Sequence, residues 1–133
     1  MGLDFDTNRC ELAKNFGADV LDLSKQSNLE SYANAFSRGR GVDSVLITAS
    51  SPSNEIIDNS ASICRKKGKI VLVGVIGLEL KRSLFYEKEL TFQVSCSYGP
   101  GRYDENYERG GNDYPLQYVR WTAQFLQRFI INK

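Results

Sequence analysis

Chemistry in this chain would have to come from carboxylates, hydroxyls and backbone groups, because the sequence has no histidine and its three cysteines, Cys10, Cys64 and Cys96, stand far apart. No paired carboxylates, nucleophile with base, or Cys/His metal set can be assembled from the pattern, so no catalytic residue and no metal ligand is assigned. Three polar or small-residue segments stand at the ends of apolar runs. Asp4 closes Met1-Gly2-Leu3, where a carboxylate can accept hydrogen bonds from hydroxyls or simply cap the next helix. Ala49-Ser50-Ser51 follows the run 42–48 with small side chains and can cap a helix. Gly74-Val75-Ile76 closes the run 69–75 with a glycine turn. Two glycine clusters, Arg38-Gly39-Arg40-Gly41 and Gly99-Pro100-Gly101, lack the strand-before, helix-after context of a phosphate loop and read as turns. Near the end, Arg102, Tyr103, Tyr107, Arg109, Tyr114, Tyr118, Arg120 and Trp121 mix cations with aromatics. That mixture could hold a sugar or nucleotide-sugar, but a flap packed against a partner domain is the simpler reading.

The elements that must position these groups alternate. Gly2-Leu3-Asp4 reads as the end of a strand, and Asp6 or Thr7 can cap a helix carrying Cys10, Leu12, Ala13 and Phe16 as far as Gly17. Val20-Leu21 is a short strand. Ser27-Asn28-Leu29-Glu30 has capping-box spacing for a helix with Leu29, Tyr32, Ala33 and Phe36 on one face. The β-branched run 42–48 has little alternation, as in a strand covered on both faces. Ser51-Pro52 then predicts the start of a helix with Ile56, Ile57, Ala61, Ile63 and Cys64 at core spacing, ending in Arg65-Lys66-Lys67 before Gly68. Residues 69–75 form the clearest buried strand, and a charged connector leads to another at 90–95. Strand and helix in turn predict an α/β domain with a mainly parallel sheet. The domain division expected is 1–97, with 98–133 an irregular Tyr/Gly/Arg-rich extension.

A length of 133 residues can bury a real core. With 17 basic and 16 acidic side chains the net charge is +1, which argues against a nucleic-acid partner. The odd, scattered cysteines read as buried thiols in a reducing compartment, and no apolar run is long enough to span a membrane. A cytoplasmic location without a membrane role is expected.

Taken in order, Gly2-Leu3-Asp4 with Arg9-Cys10-Glu11-Leu12-Ala13-Lys14 and Phe16-Gly17-Ala18-Asp19, then Gly41-Val42-Asp43 with its strand, then Gly68-Lys69-Ile70-Val71-Leu72-Val73-Gly74-Val75, resemble the nucleotide-binding domain of the medium-chain, zinc-type alcohol dehydrogenase superfamily. The later stretch from Tyr86-Glu87-Lys88-Glu89-Leu90 to Tyr118-Val119-Arg120-Trp121-Thr122 resembles a narrower group, the bi-domain oxidoreductases in which such a half is fused to a glucose-fructose-oxidoreductase-like half. The resemblance implies an incomplete Rossmann-like three-layer domain, with the first strand and glycine-rich turn missing, strand order 3-2-1-4-5-6, and strands 43–48, 69–75 and 90–95 side by side. The 20–21 strand would lie on the opposite flank. The strand ending at Asp4 would then close against 43–48, or a second chain would fill the gap.

By the same resemblance the cofactor is NAD, weakly bound or unbound by this chain alone. Asp4 would take the adenosine ribose hydroxyls and repel a 2′-phosphate, and Arg9 would lie on the adenosine side. Ala49, Ser50 and Ser51 would pass beneath the cofactor, and Gly74, Val75 and Ile76 would meet the nicotinamide. The family's zinc ligands have no counterpart here. The function implied is part of the cofactor-binding domain of an NAD-dependent alcohol or polyol (sugar) oxidoreductase, inactive alone, whose partner is the missing catalytic domain or fused half. A non-catalytic, self-associating interaction module and a methyltransferase-like domain are the alternatives.

Overall fold

The computed structural model describes residues 1–96, 101–115, 117–119 and 121–122, and the chain divides into two compact units, Met1–Gln93 and Val94–Lys133. Within the first unit, β1 (Gly2–Asp4) runs parallel to β2 (Val20–Asp22), with Asp4 opposite Asp22. Helix α1 (Thr7–Asn15) connects them. Its cap is Asp6, whose carboxylate accepts from the amides of Asn8 and Arg9, and Gly17 follows in the left-handed region at φ 84°. Of the residues expected on its core face only Cys10 is buried, while Phe16 is 84% exposed. Helix α2 (Leu29–Phe36) starts at Asn28, which accepts from Ser31 N–H, so the cap lies one residue after the Ser27 expected.

The larger sheet orders β3 (Val42–Ile47), β5 (Cys64–Leu72) and β7 (Thr91–Val94) side by side, as expected, with β3 and β5 parallel. The expected closure of the Asp4 strand against β3 does not occur: among the described residues β1 pairs with β2 alone. Short bonds hold β1 there, from Gly2 N–H to Asp19 O at 2.7 Å and from Leu23 N–H to Asp4 O at 2.9 Å. Nor is β3 covered on both faces. Val42 and Ile47 are buried, but Leu46 is 68% exposed.

Helix α3 (Glu55–Ile63) departs from expectation at both ends. It begins after Asn54 rather than at Ser51-Pro52, because Ser50 and Ser51 form the short strand β4 (Ser50–Ser51), paired in parallel with β6 (Val75–Ile76). It ends at Ile63, and Cys64 passes directly into β5. The basic cluster that looked like a helix end is a bulge instead: Val42 faces Cys64 while Ser44 faces Lys69, and Lys67 takes φ 58°. Helix α4 (Arg82–Lys88) occupies the stretch read as a charged connector. Its Lys88 Nζ donates to the carbonyls of Ala61, Ser62 and Cys64 at 2.9, 2.6 and 2.9 Å, tying α4 to the C-terminal end of α3.

Ile57, Ala61, Ile70 and Leu72 are the centre of the core, joined by Leu21, Leu29, Ala33, Val42, Ile47 and Ile63. Cys10 and Cys64 are buried free thiols, but Cys96 is exposed, against expectation. In the second unit Asp104 caps the four-residue α5 (Glu105–Glu108), and Tyr107 stacks on Tyr114 with ring centres 4.8 Å apart. Residues 98–100, 116, 120 and 123–133 of the extension lie outside the described residues.

Candidate functional site

The candidate residues collect at the carboxyl ends of parallel strands, in two groups. In the first, the ladder of β3 and β5 breaks for two residues in each strand and then resumes as β4 and β6 in unchanged register, Ile47 opposite Leu72 and Ser50 opposite Val75. At the break, Ile47 O accepts from both Val73 N–H and Gly74 N–H at 2.8 and 2.9 Å, and Ala49 O accepts from Val75 N–H at 3.0 Å. Ala49-Ser50-Ser51 and Gly74-Val75-Ile76 are thus held together by backbone pairing. Gly74 has no room for a side chain, since a Cβ there would sit 2.0 Å from Ala49 O. The surface this ladder end offers is the exposed Ser50 and a Val75 that is 74% exposed. Ile76 is buried in the core, so its side chain cannot meet a ligand. The Val75 N–H is engaged by Ala49, so a ligand here would meet the Val75 side chain and the Ser50 hydroxyl rather than that amide.

Clamped to the edge of this group is a feature the sequence did not disclose. Asn54 Oδ1 accepts from Glu79 N–H at 3.0 Å while its Nδ2 donates to Glu79 Oε2 at 3.2 Å, fixing the segment just after β6.

The second group is the pair Asp4 and Asp22, facing each other at the ends of β1 and β2. Asp22 is saturated: it accepts from Ser24 Oγ (2.5 Å), Thr7 Oγ1 (2.8 Å) and Ser24 N–H (3.0 Å), with Lys25 Nζ at 3.1 Å. These bonds, the Ser24 and Thr7 hydroxyls first, hold its carboxyl far below the usual carboxylate range. Among the described residues the Asp4 carboxylate accepts a hydrogen bond only from Asp6 N–H, at 3.0 Å, and its other oxygen lies 3.8 Å from the exposed Arg9 guanidinium. Beneath the two acids, burial pushes the Cys10 thiol up, and the charges of Asp22 and Asp4 push it further. Asp22 was not singled out in the sequence; the Asp-x-Ser at a strand end is the signal that could have marked it.

Among the described residues no three Cys, Asp or Glu side chains gather as a metal-ligand group, and no helix is long and apolar enough to cross a membrane.

The backbone is similar to those of larger dehydrogenases. The 2R,3R-butanediol dehydrogenase from Bacillus subtilis matches with a TM-score of 0.64 at 18% identity, over 88% of this chain and 33% of that one. Benzyl alcohol dehydrogenase from Acinetobacter calcoaceticus gives 0.61 at 21% identity, over 88% and 34%. An alcohol dehydrogenase superfamily protein from Novosphingobium aromaticivorans gives 0.56 at 24%, over 69% and 26%. The chain spans about a quarter to a third of the length of these structures, and at such identities the likeness shows the fold. No curated protein sequence matches the chain. A family model described as zinc-binding dehydrogenase matches residues 1–109, and the chain belongs to that family.

Proposed function

We propose that this chain is part of the cofactor-binding domain of an NAD-dependent alcohol or polyol oxidoreductase with a sugar-type substrate. The observation that carries the reading is the inequality of the two strand-end acids: Asp22 is consumed by its own loop, while Asp4 retains accepting capacity at the carboxyl end of a parallel strand. Ligand crevices of open α/β sheets lie at such ends. Bound NAD supplies the hydride-accepting chemistry. The chain's own groups bind and orient. Asp4 accepts from the ribose hydroxyls, Ser50 and Val75 form a floor, and Gly74 keeps that floor flat by leaving β4 and β6 in contact. Arg9, 3.8 Å from Asp4, partly offsets the repulsion that the carboxylate presents to a 2′-phosphate. The preference for NAD over NADP is therefore graded rather than absolute.

Zinc does not fit these residues. The sequence has no histidine, Cys10 donates to Asp4 O from within the β1–α1 packing at 3.6 Å, Cys64 is in the core, and Cys96 is exposed. No step is assigned to a metal here. Nor do the described residues include a glycine turn between a strand and a helix N-terminus to take a pyrophosphate, so the chain alone is inactive and completes its site with a catalytic domain or fused oxidoreductase half.

The test is cofactor preference in the complete enzyme. Asp4→Ala should weaken NAD and narrow its advantage over NADP by about tenfold, the equivalent of ~1.4 kcal/mol. An unchanged NAD/NADP ratio would remove Asp4 from the site. A self-associating interaction module is the second reading, and the exposed Leu46 beside an edge of β3 that is unpaired among the described residues favours it. Stable dimers of the 133-residue chain in sedimentation, with Leu46→Lys returning them to monomer, would support that alternative.

A further inference from the structure

The turn at 38–41 and the bulge at 65–68 belong to neither group, yet the fold forces them together. Gly41 has φ 81°, and a Cβ there would lie 2.7 Å from Arg65 N; at Gly68 one would lie 3.4 Å from Asp43 O, across the β3–β5 pairing. These contacts bring two arginine- and lysine-rich segments edge to edge, beside a cavity of about 550 Å³ whose wall carries Arg40, Arg65, Lys66 and Lys88 against a single acid, Glu30. In a chain of net charge +1 that is a strong local concentration of positive charge.

The four cations are not equivalent. Lys88 spends its three N–H bonds on the carbonyls that end α3, and Arg65 binds Asp43 Oδ1 at 2.5 Å and Lys66 O at 2.7 Å. Lys88 supplies a fixed positive charge, while that of Arg65 is offset by Asp43. Arg40 and Lys66 are exposed, and neither side chain has a hydrogen bond or ion pair among the described residues. They are the available donors, one a planar fork and one a point charge. The cavity sits where Val42 faces Cys64, at the amino ends of β3 and β5. A six-residue strand spans ~20 Å, so this position is well removed from Ser50 and Val75 at the other end.

We infer that this basic cavity binds a small, multiply charged phosphate anion, such as a pyrophosphate or a phosphate monoester terminus. A concave site with one fixed ammonium at its wall and two available donors suits a compact anion better than a long acidic chain, which needs an extended basic stripe.

The test is a titration of the 133-residue protein with inorganic pyrophosphate at matched ionic strength, followed by amide ¹H–¹⁵N shifts. Shifts should concentrate at Arg40, Gly41, Lys66 and their neighbours. Arg40→Ala and Lys66→Ala should each weaken binding about tenfold, and Lys14→Ala on α1 should not change it. Both variants alter exposed residues, and far-UV circular dichroism verifies that they are folded. Native affinity in both, shifts confined to the Asp4 end, or an acidic peptide moving these amides where pyrophosphate does not, would each overturn the inference.

Discussion

Two carboxylates facing each other across a parallel pair repel, and this chain relieves the conflict by satisfying one and leaving the other open to solvent. The consequence for Asp22 is a definite pH dependence. Its carboxyl is held below its ordinary value of 3.8, so its contribution to stability is complete above that value and disappears as pH falls through the lower folded one. Urea midpoints measured from pH 7 down to pH 3 should fall less steeply for Asp22→Ala than for the native protein, from a lower starting point at pH 7. Parallel pH profiles would show that Asp22 is not the titrating tie between α1 and β2. Glycines give a second contrast at this scale. Gly74→Ala drives a methyl into Ala49 O and should cost about 1–3 kcal/mol. Gly17→Ala, where nothing lies within 4 Å, should cost only the strain of a left-handed residue, about 1 kcal/mol. Thermal unfolding of the two variants checks the order; equal losses would mean that the β4–β6 contact yields readily.

At the level of elements, α3 is defined by tertiary partners at both ends. Its start is delayed because Ser50 and Ser51 are paired with Val75 and Ile76, and its end is closed by the ammonium of Lys88 from α4. Lys88→Met should therefore destabilise the protein by about 2 kcal/mol, since a charged donor to three carbonyls is lost, and hydrogen exchange should quicken at the last turn of α3. Unchanged protection there would leave Lys88 a surface residue. What could be read from the sequence follows the same division. The apolar, β-branched runs at 42–48 and 69–75 announced β3 and β5 because such side chains favour strands, although β3 is buried only at Val42 and Ile47, and the predicted neighbours 43–48, 69–75 and 90–95 hold. Asp6 and Asn28 gave local capping signals that needed only a one-residue adjustment at most. Helix α4 was not legible: Lys81 makes no side-chain cap bond, and no residue of the helix is fully buried. The bulge at 65–68 was hidden for a related reason, since Arg65-Lys66-Lys67 before glycine has the composition of a helix end, and only the pairing of Val42 with Cys64 pulls it into a strand.

For the molecule as a whole, the two ends of the parallel strands of the first unit carry different groups. Asp4, Asp22 and Ser50 stand at the carboxyl ends of parallel strands, and Arg40 and Lys66 stand beside the cavity at the amino ends of β3 and β5. Individual site segments were visible in the sequence as strand ends, but the pairing of Ser50 with Val75 depends on register across the whole β3–β5 ladder, which no local pattern carries. The zinc-binding dehydrogenase family and the parallel α/β architecture agree with a cofactor role for the carboxyl ends. The most direct test is an amide-shift titration of the 133-residue chain with NAD, made on the Arg40→Ala, Lys66→Ala double variant so that the basic cavity cannot draw the pyrophosphate. Binding should be millimolar or weaker, worth only about 4 kcal/mol, with shifts at Asp4, Arg9, Ser50 and Val75. Micromolar affinity, or shifts that leave Asp4 and Val75 unmoved at saturation, would contradict the assignment of this chain's strand ends to the cofactor.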